Sequence, residues 1–180
     1  MRVYMFKYAG FFVALVFFLI ILSSCRGHTL PPNTAFNYIT RQLDDNNLTD
    51  MTLTIYYMHP LTLTRMPVSV SDLRDGLYEY RVVVESHEMK EHLDLFSQLT
   101  SNTLISTEQR GVVNVRIYYV FESNDQILLD VAMWSMPDNI IVNGREFKSN
   151  DAFLNIIMPF LPESASSFLG GLIGEEDVAP

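Results

Sequence analysis

Residues 113–134 read VNVRIYYVFESNDQILLDVAMW, and this stretch decides the fold because apolar side chains recur at every second position on both sides of a polar break. Such alternation is typical of β-strands with one buried face. The break, Ser123-Asn124-Asp125, has the composition of a turn. We therefore predict a β-hairpin with its turn centred on Asn124 and both apolar sets on one side of the sheet. The facing pairs are then Phe121 with Ile127, Tyr119 with Leu129, and Ile117 with Val131.

The opposite face of this hairpin combines charged and aromatic side chains. In the same register Tyr118 faces Asp130, and Arg116 lies diagonal to both Asp130 and Trp134. An arginine stacked on the only tryptophan, beside a carboxylate, could hold a peptide or a sugar. Arg116, Tyr118, Asp130 and Trp134 are therefore the candidate binding residues. The alternative, which we favour, is that a helix or linker covers this face and that Arg116 and Asp130 form a structural pair.

Shorter patterns complete the predicted fold. Alternating apolar residues indicate further strands at 51–57, 78–84, 103–107, 140–142 and 145–148, the last two joined by Asn143-Gly144 as a type I′ turn. Helical periodicity indicates helices at 34–43, 86–99 and 151–158, and a capped turn at 71–76. This order predicts one α+β domain, with a mainly antiparallel sheet of about five or six strands and two or three helices packed on it.

The N-terminus has the architecture of a signal peptide. Arg2 and Lys7 precede an apolar run that ends at Leu22, followed by two small serines and the only cysteine, Cys25. Counted from Ala9, the run has 14 residues, which is too short to span a bilayer by default and matches the apolar region of a signal peptide. The sequence therefore predicts export from the cytoplasm.

The tetrad Leu22-Ser23-Ser24-Cys25 resembles the lipobox of bacterial lipoproteins. The resemblance implies a diacylglycerol on the Cys25 thiol and cleavage between Ser24 and Cys25. Two or three acyl chains hold a protein stably on a membrane, where a single chain does not. The protein is then lipid-anchored on the outer side of the cell membrane; in a cell with two membranes, Arg26 favours the outer one. The alternative is an ordinary secretory peptide with a chance cysteine, or an uncleaved signal anchor.

Composition divides the chain into four parts. Residues 1–24 form the predicted signal peptide, and residues 25–33 form a lipidated tether that contains Gly27, Pro31 and Pro32. The α+β domain occupies 34–162, and 163–180, rich in serine, glycine and acidic residues, is predicted to be a flexible acidic tail. With Cys25 as the only cysteine, no intramolecular disulfide can stabilise the domain.

The charge of the mature chain excludes one class of partner. Without Arg2 and Lys7, 10 basic residues stand against 21 acidic ones, a formal charge of −11. Nucleic-acid binding requires a basic surface, so we expect no nucleic-acid partner. An anionic membrane surface would repel the domain, so we expect membrane contact only through the lipid on Cys25.

The strongest candidate for chemistry is the string His87-Glu88-Met89-Lys90-Glu91-His92. The HExxH zinc motif places two histidines four residues apart, whereas these are five apart, about 140° around a helix. The pairs His87 with Glu91 and Glu88 with His92 each supply only two ligands, and a catalytic zinc takes three from the protein. We interpret the string as a solvated helix start and predict no catalytic residues, no metal and no cofactor.

These observations favour a non-enzymatic, lipid-anchored domain that binds an envelope protein or an extracellular ligand. One alternative is a small envelope enzyme or metal-handling protein that uses the His87–His92 helix. Another is an immunity-type or inhibitor lipoprotein that protects its own cell.

Overall fold

The computed structural model describes residues 30–45, 50–100, 103–107, 114–134 and 139–173. The predicted signal peptide, Cys25 and the acidic end of the tail, residues 174–180, lie outside the described residues.

One antiparallel sheet of six strands forms the centre of the fold, in the order β2-β1-β3-β4-β5-β6. The strands are β1 (Met51–Tyr57), β2 (Tyr80–Glu85), β3 (Ile117–Ser123), β4 (Gln126–Met133), β5 (Asn139–Val142) and β6 (Arg145–Lys148). This architecture confirms the predicted single α+β domain with five or six antiparallel strands. The predicted strand at 103–107 is reduced to a single bridge between Ser106 and Phe147.

The helices are more numerous and mostly shorter than the two or three expected. They are α1 (Pro32–Asp44), α2 (Val70–Arg74), α3 (Ser86–Lys90), α4 (Leu93–Phe96), α5 (Ala152–Asn155) and α6 (Glu163–Ile173), with a 3-10 turn at Met158–Phe160. The expected helix 86–99 is divided because His92 has a non-helical backbone, with φ −127° and ψ 31°. None of the helices in the described ranges is long and apolar enough to cross a bilayer.

The two faces of the sheet are covered differently. The first face carries Ile55, Tyr119 and Phe121 and packs against the helical layer, in which α1 contributes Phe36 and α5 contributes Phe153. The second face carries an apolar centre that is covered by residues 58–68, named here the 58–68 loop, and by α2. The residues that pack there are Tyr56, Tyr118, Val120 and Ala132 from the sheet, with Met58, Val68 and Leu73 above them.

The central hairpin forms as predicted, but its predicted register is wrong. Asn124 and Asp125 form a two-residue turn with φ of 50° and 60°, the left-handed backbone that a type I′ turn requires. Since this turn is centred between Asn124 and Asp125, the pairing of the two strands moves by one residue from the prediction. A bulge between Phe121 and Glu122 moves it by one more. The observed pairs are Phe121 with Leu129, Tyr119 with Val131, and Ile117 with Met133. Because the total shift is two residues, Ile117, Tyr119, Phe121, Leu129 and Val131 stay on their predicted face. Ile127, beside the bulge, instead packs with Tyr118 on the second face, and Leu128 joins the first.

The expected flexible tail is wrong where the chain is described. Glu163–Ile173 form α6, and Ala165 and Leu169, four residues apart, are buried in the main core. This one-sided apolar contact stabilises a helix that also contains three serines and two glycines, residues that indicate a tail when composition alone is considered. The predicted Asn143-Gly144 turn is present, with φ of 46° and 70°.

Candidate binding site

The four candidate residues do not form one site. Tyr118 lies beside Ala132 instead of Asp130, because of the register shift, and Asp130 lies opposite Val120. The Tyr118 hydroxyl still reaches Asp130 and donates to its Oδ2 at 3.4 Å. The expected arrangement of Arg116 between Asp130 and Trp134 does not occur. Among the described residues, Arg116 forms no ion pair with a carboxylate, and Trp134 is an exposed residue just after β4.

Arg116 instead holds the 58–68 loop in place. Its side chain is only 3% exposed, and Nη1 donates to Asn114 Oδ1 at 3.0 Å and to the Val115 carbonyl oxygen at 3.3 Å. Nη2 donates to the Thr62 carbonyl oxygen at 3.1 Å and to Thr64 Oγ1 at 3.2 Å. Burial lowers the pKa of this guanidinium. Because the rigid fork of an arginine presents several donors in one plane, a single side chain connects the loop to the start of β3.

Main-chain bonds fix both ends of the loop to the same segment. The Met58 N–H donates to the Arg116 carbonyl oxygen at 2.8 Å, and the Val115 N–H donates to the Val68 carbonyl oxygen at 2.9 Å. The Val68 N–H donates to Asn114 Oδ1 at 2.9 Å. The covered face that we favoured is therefore what the structure has, with the loop as its cover, although the expected Arg116–Asp130 pair is absent.

Three large apolar side chains lie on the outer surface of the loop. Leu61, Leu63 and Met66 are 66%, 98% and 74% exposed, and all three lie within six residues of one another. A monomeric protein exposes single apolar side chains routinely, whereas a group of large ones on one segment marks an interaction surface. None of the strands and helices predicted from the sequence includes this segment. The available signal was two leucines and a methionine between Pro60 and Pro67, where polar turn residues would be ordinary.

Asp130 and Tyr118 belong to the support of this face. Burial raises the pKa of the Asp130 carboxyl, opposed by hydrogen bonds from Asn143 and Tyr118 and by the charge of Arg74. Burial, with the negative charge of Asp130, raises the pKa of the Tyr118 hydroxyl. Asn143 Oδ1 accepts the Asp130 N–H at 2.7 Å, and its Nδ2 donates to the Leu30 carbonyl oxygen at 2.6 Å. This network fixes Leu30, the first described residue, against the sheet.

The two histidines of the 87–92 string have different surroundings. His87 is exposed, with Nδ1 3.8 Å from Glu85 Oε2, while the ring of His92 lies edge-on to Phe160 at 5.2 Å. In the part of the chain that the structure describes, no three histidine, cysteine or acidic side chains are arranged to hold a metal ion. The geometry therefore brings no ligand set together at this helix.

A cavity of about 440 Å³ lies where β1 begins and β3 ends, beside the start of α3. It is at the opposite end of β3 from the 58–68 loop. Its polar lining includes four carboxylates, those of Asp50, Glu85, Glu122 and Asp125. A second cavity, of about 340 Å³, is lined by Leu30 and the β3–β4 turn. The first cavity offers negative charge without a basic side chain in its lining.

Comparison with known proteins adds no assignment: no family model, no curated protein and no solved structure matches this chain.

Proposed function

We propose that this protein is a non-enzymatic, lipid-anchored envelope protein that binds a protein partner through the exposed apolar surface of its 58–68 loop. The observation that carries the proposal is the combination of outward leucines with a buried arginine beneath them. Leu63 is 98% exposed, yet the neighbouring Thr62 carbonyl and Thr64 hydroxyl are fixed by Arg116. A loop that is already ordered loses little conformational entropy on binding, which favours recognition.

The chemistry of the surface indicates a protein partner. Leucine and methionine side chains bury well against another apolar surface, and Met adapts its shape to its partner. A sugar would be expected to meet aromatic groups, and the exposed positions of the loop, residues 61–67, carry no aromatic side chain. The single charge among them, Arg65, fits the polar rim of a protein interface.

The proposed anchor and the proposed binding surface lie apart. Leu30, five residues after Cys25, lines a cavity with Ser123 and Asn124 at the last residues of β3 and its turn. The 58–68 loop is held by Arg116, immediately before the first residue of β3. Leu30 and the segment that holds the loop thus lie at opposite ends of the same strand, and we expect attachment through Cys25 to leave the loop free.

A site-specific photo-crosslinker tests this proposal in the intact envelope. We would place a benzophenone amino acid at Leu63 in one full-length chain and at Leu77 in a matched control, since Leu77 is also exposed, at 52%, but lies outside the loop. We expect one discrete protein adduct from position 63, reduced when Leu61→Asp is added, and none from position 77. No adduct from position 63, or the same adduct from both positions, would contradict the proposal.

A further inference from the structure

The two edges of the sheet differ. At the β6 edge, Ser106 bridges Phe147, and the Lys148 N–H donates to the Ile105 carbonyl oxygen at 2.8 Å. At the β2 edge, no strand of the described ranges pairs on the side away from β1. An open edge presents unpaired N–H and C=O groups that can pair with another strand. The structure therefore leaves β2 as the edge available for pairing.

The backbone direction along β2 can be inferred from its last residue. The Glu85 N–H donates to Glu88 Oε2 at 2.9 Å, in the capping box of α3, and so points away from β1. Backbone groups alternate in direction with a period of two along a strand. The pairing of β1 with β2 has no register shift between Thr52 and Tyr57, so Arg81 and Val83 point their backbone groups the same way. Arg81 and Val83 therefore direct their backbone groups toward the open edge, whereas the Glu85 N–H is already bonded to Glu88.

The side chains of β2 are complementary to a second copy of the same strand. In an antiparallel pair, two directly opposite residues either both direct their N–H and C=O groups toward the other strand or both direct them away. Two copies of β2 can therefore pair only about a twofold axis at which one residue lies opposite its own equivalent. An axis at Val83 places Arg81 opposite Glu85 of the second copy, twice by symmetry. An axis at Val82 would instead place Glu79 opposite Glu85, and an axis at Arg81 would oppose two arginines.

We propose that β2 pairs with β2 of a second copy of this chain, with Val83 on the twofold axis, to form one continuous sheet. Arg81, Val83 and Glu85 share one face of the strand, and Val83, 44% exposed, meets its equivalent between the two opposite-charge pairs. Arg81 is already oriented: Nε donates to the Tyr56 hydroxyl at 3.4 Å, and the guanidinium lies 5.7 Å from the centre of that ring. The axis is perpendicular to the sheet, so both 58–68 loops lie on the same side.

Disulfide trapping in membranes of cells that make the full-length chain tests this pairing. With Val83→Cys, mild oxidation is expected to yield a product of twice the mass of the chain, because opposite residues in an antiparallel pair have Cα atoms about 4.5–5.5 Å apart, within disulfide range. The unaltered chain controls for Cys25. Arg145→Cys, at an exposed position of β6, controls for random collision.

Charge exchange distinguishes this register from a chance contact. Adding Arg81→Glu to Val83→Cys turns both attractive pairs into repulsive ones, and we expect about tenfold less crosslinked product. Adding Arg81→Glu and Glu85→Arg together restores the pairs with reversed sign, and the product is expected to return. The proposal is overturned by equal crosslinking of Arg145→Cys, by no effect of Arg81→Glu, or by a folded, protease-resistant double exchange that stays uncrosslinked. A product of any other mass would mean that a different protein occupies the edge.

Discussion

The Arg116 guanidinium donates to the Thr62 carbonyl oxygen at 3.1 Å, across 54 residues of sequence, and this bond joins the sheet to the loop that covers it. The same guanidinium reaches Thr64, Asn114 and Val115. Carbonyl, amide and hydroxyl oxygens thus accept hydrogen bonds from this buried positive charge. In the described part of the chain, the Arg116 guanidinium forms no ion pair with a carboxylate. The consequence is a loop that is fixed by hydrogen bonds from beneath while Leu61, Leu63 and Met66 are exposed on its outer surface.

Arg116→Lys is expected to loosen the loop. Lysine keeps the buried charge but cannot reach all four oxygens, so we expect a loss of about 1–3 kcal/mol in the free energy of unfolding. Urea unfolding measures this change, and the rate of tryptic cleavage after Arg65, in the loop, should rise. Arg145→Lys, at an exposed position, should change stability by less than about 0.5 kcal/mol. An Arg116→Lys protein as stable and as resistant as the parent would contradict the role assigned to the guanidinium.

Two buried tyrosines should respond differently to the loss of their hydroxyl. The Tyr119 hydroxyl donates to the Phe153 carbonyl oxygen at 3.1 Å, so Tyr119→Phe should cost about 1 kcal/mol of unfolding free energy. The Tyr57 hydroxyl is buried without a hydrogen-bond partner, and burial, with Glu79 and Tyr80 nearby, raises its pKa to about 12. Tyr57→Phe should therefore leave stability unchanged or increase it. Equal losses in the two variants, measured by urea unfolding, would show that these two contacts are assigned wrongly.

Asp130 should reduce stability as the pH rises. Because burial raises its folded-state pKa above the ordinary value of 3.8, the folded protein keeps the proton longer than the unfolded chain does. Stability from this group is then complete at low pH and is lost as the pH rises from the ordinary carboxyl range through the raised pKa. We expect the stability of Asp130→Asn relative to the parent to increase with pH across that window. A difference that is constant or falls between about pH 3.5 and pH 7 would contradict the raised pKa.

The lipid anchor gives a separate prediction. Cells that make the full-length chain should incorporate labelled palmitate into it. Cys25→Ser should abolish both the incorporation of palmitate and the cleavage of the signal peptide before residue 25. Mass spectrometry of the mature N-terminus and phase partition into detergent measure the two effects. A Cys25→Ser protein that still carries label and remains in the membrane would rule out lipidation at this residue.

Periodicity was sufficient to predict the sheet and insufficient to predict what covers it. The alternation around Tyr119 and Val131 assigned these side chains to the correct face, and this survived a register error because the turn and the bulge after Phe121 each shift the pairing by one residue, which together make a whole period. The bonds from Arg116 to Thr62 and Thr64 depend on where an irregular segment returns in space, which no local pattern encodes. α6 was missed for a related reason: its stability comes from burial of Ala165 and Leu169 and not from helix propensity.

The most direct test of the central claim compares aspartate substitutions at two exposed leucines. Leu63→Asp places a charge on the 58–68 loop, and Leu77→Asp places one on an exposed leucine elsewhere. Partner recovered with the full-length chain from crosslinked envelopes is measured for both variants and for the parent. We predict that Leu63→Asp reduces recovery at least about tenfold, since a charge at the centre of an apolar contact is left desolvated, while Leu77→Asp matches the parent. Equal recovery from all three chains would contradict binding through the loop.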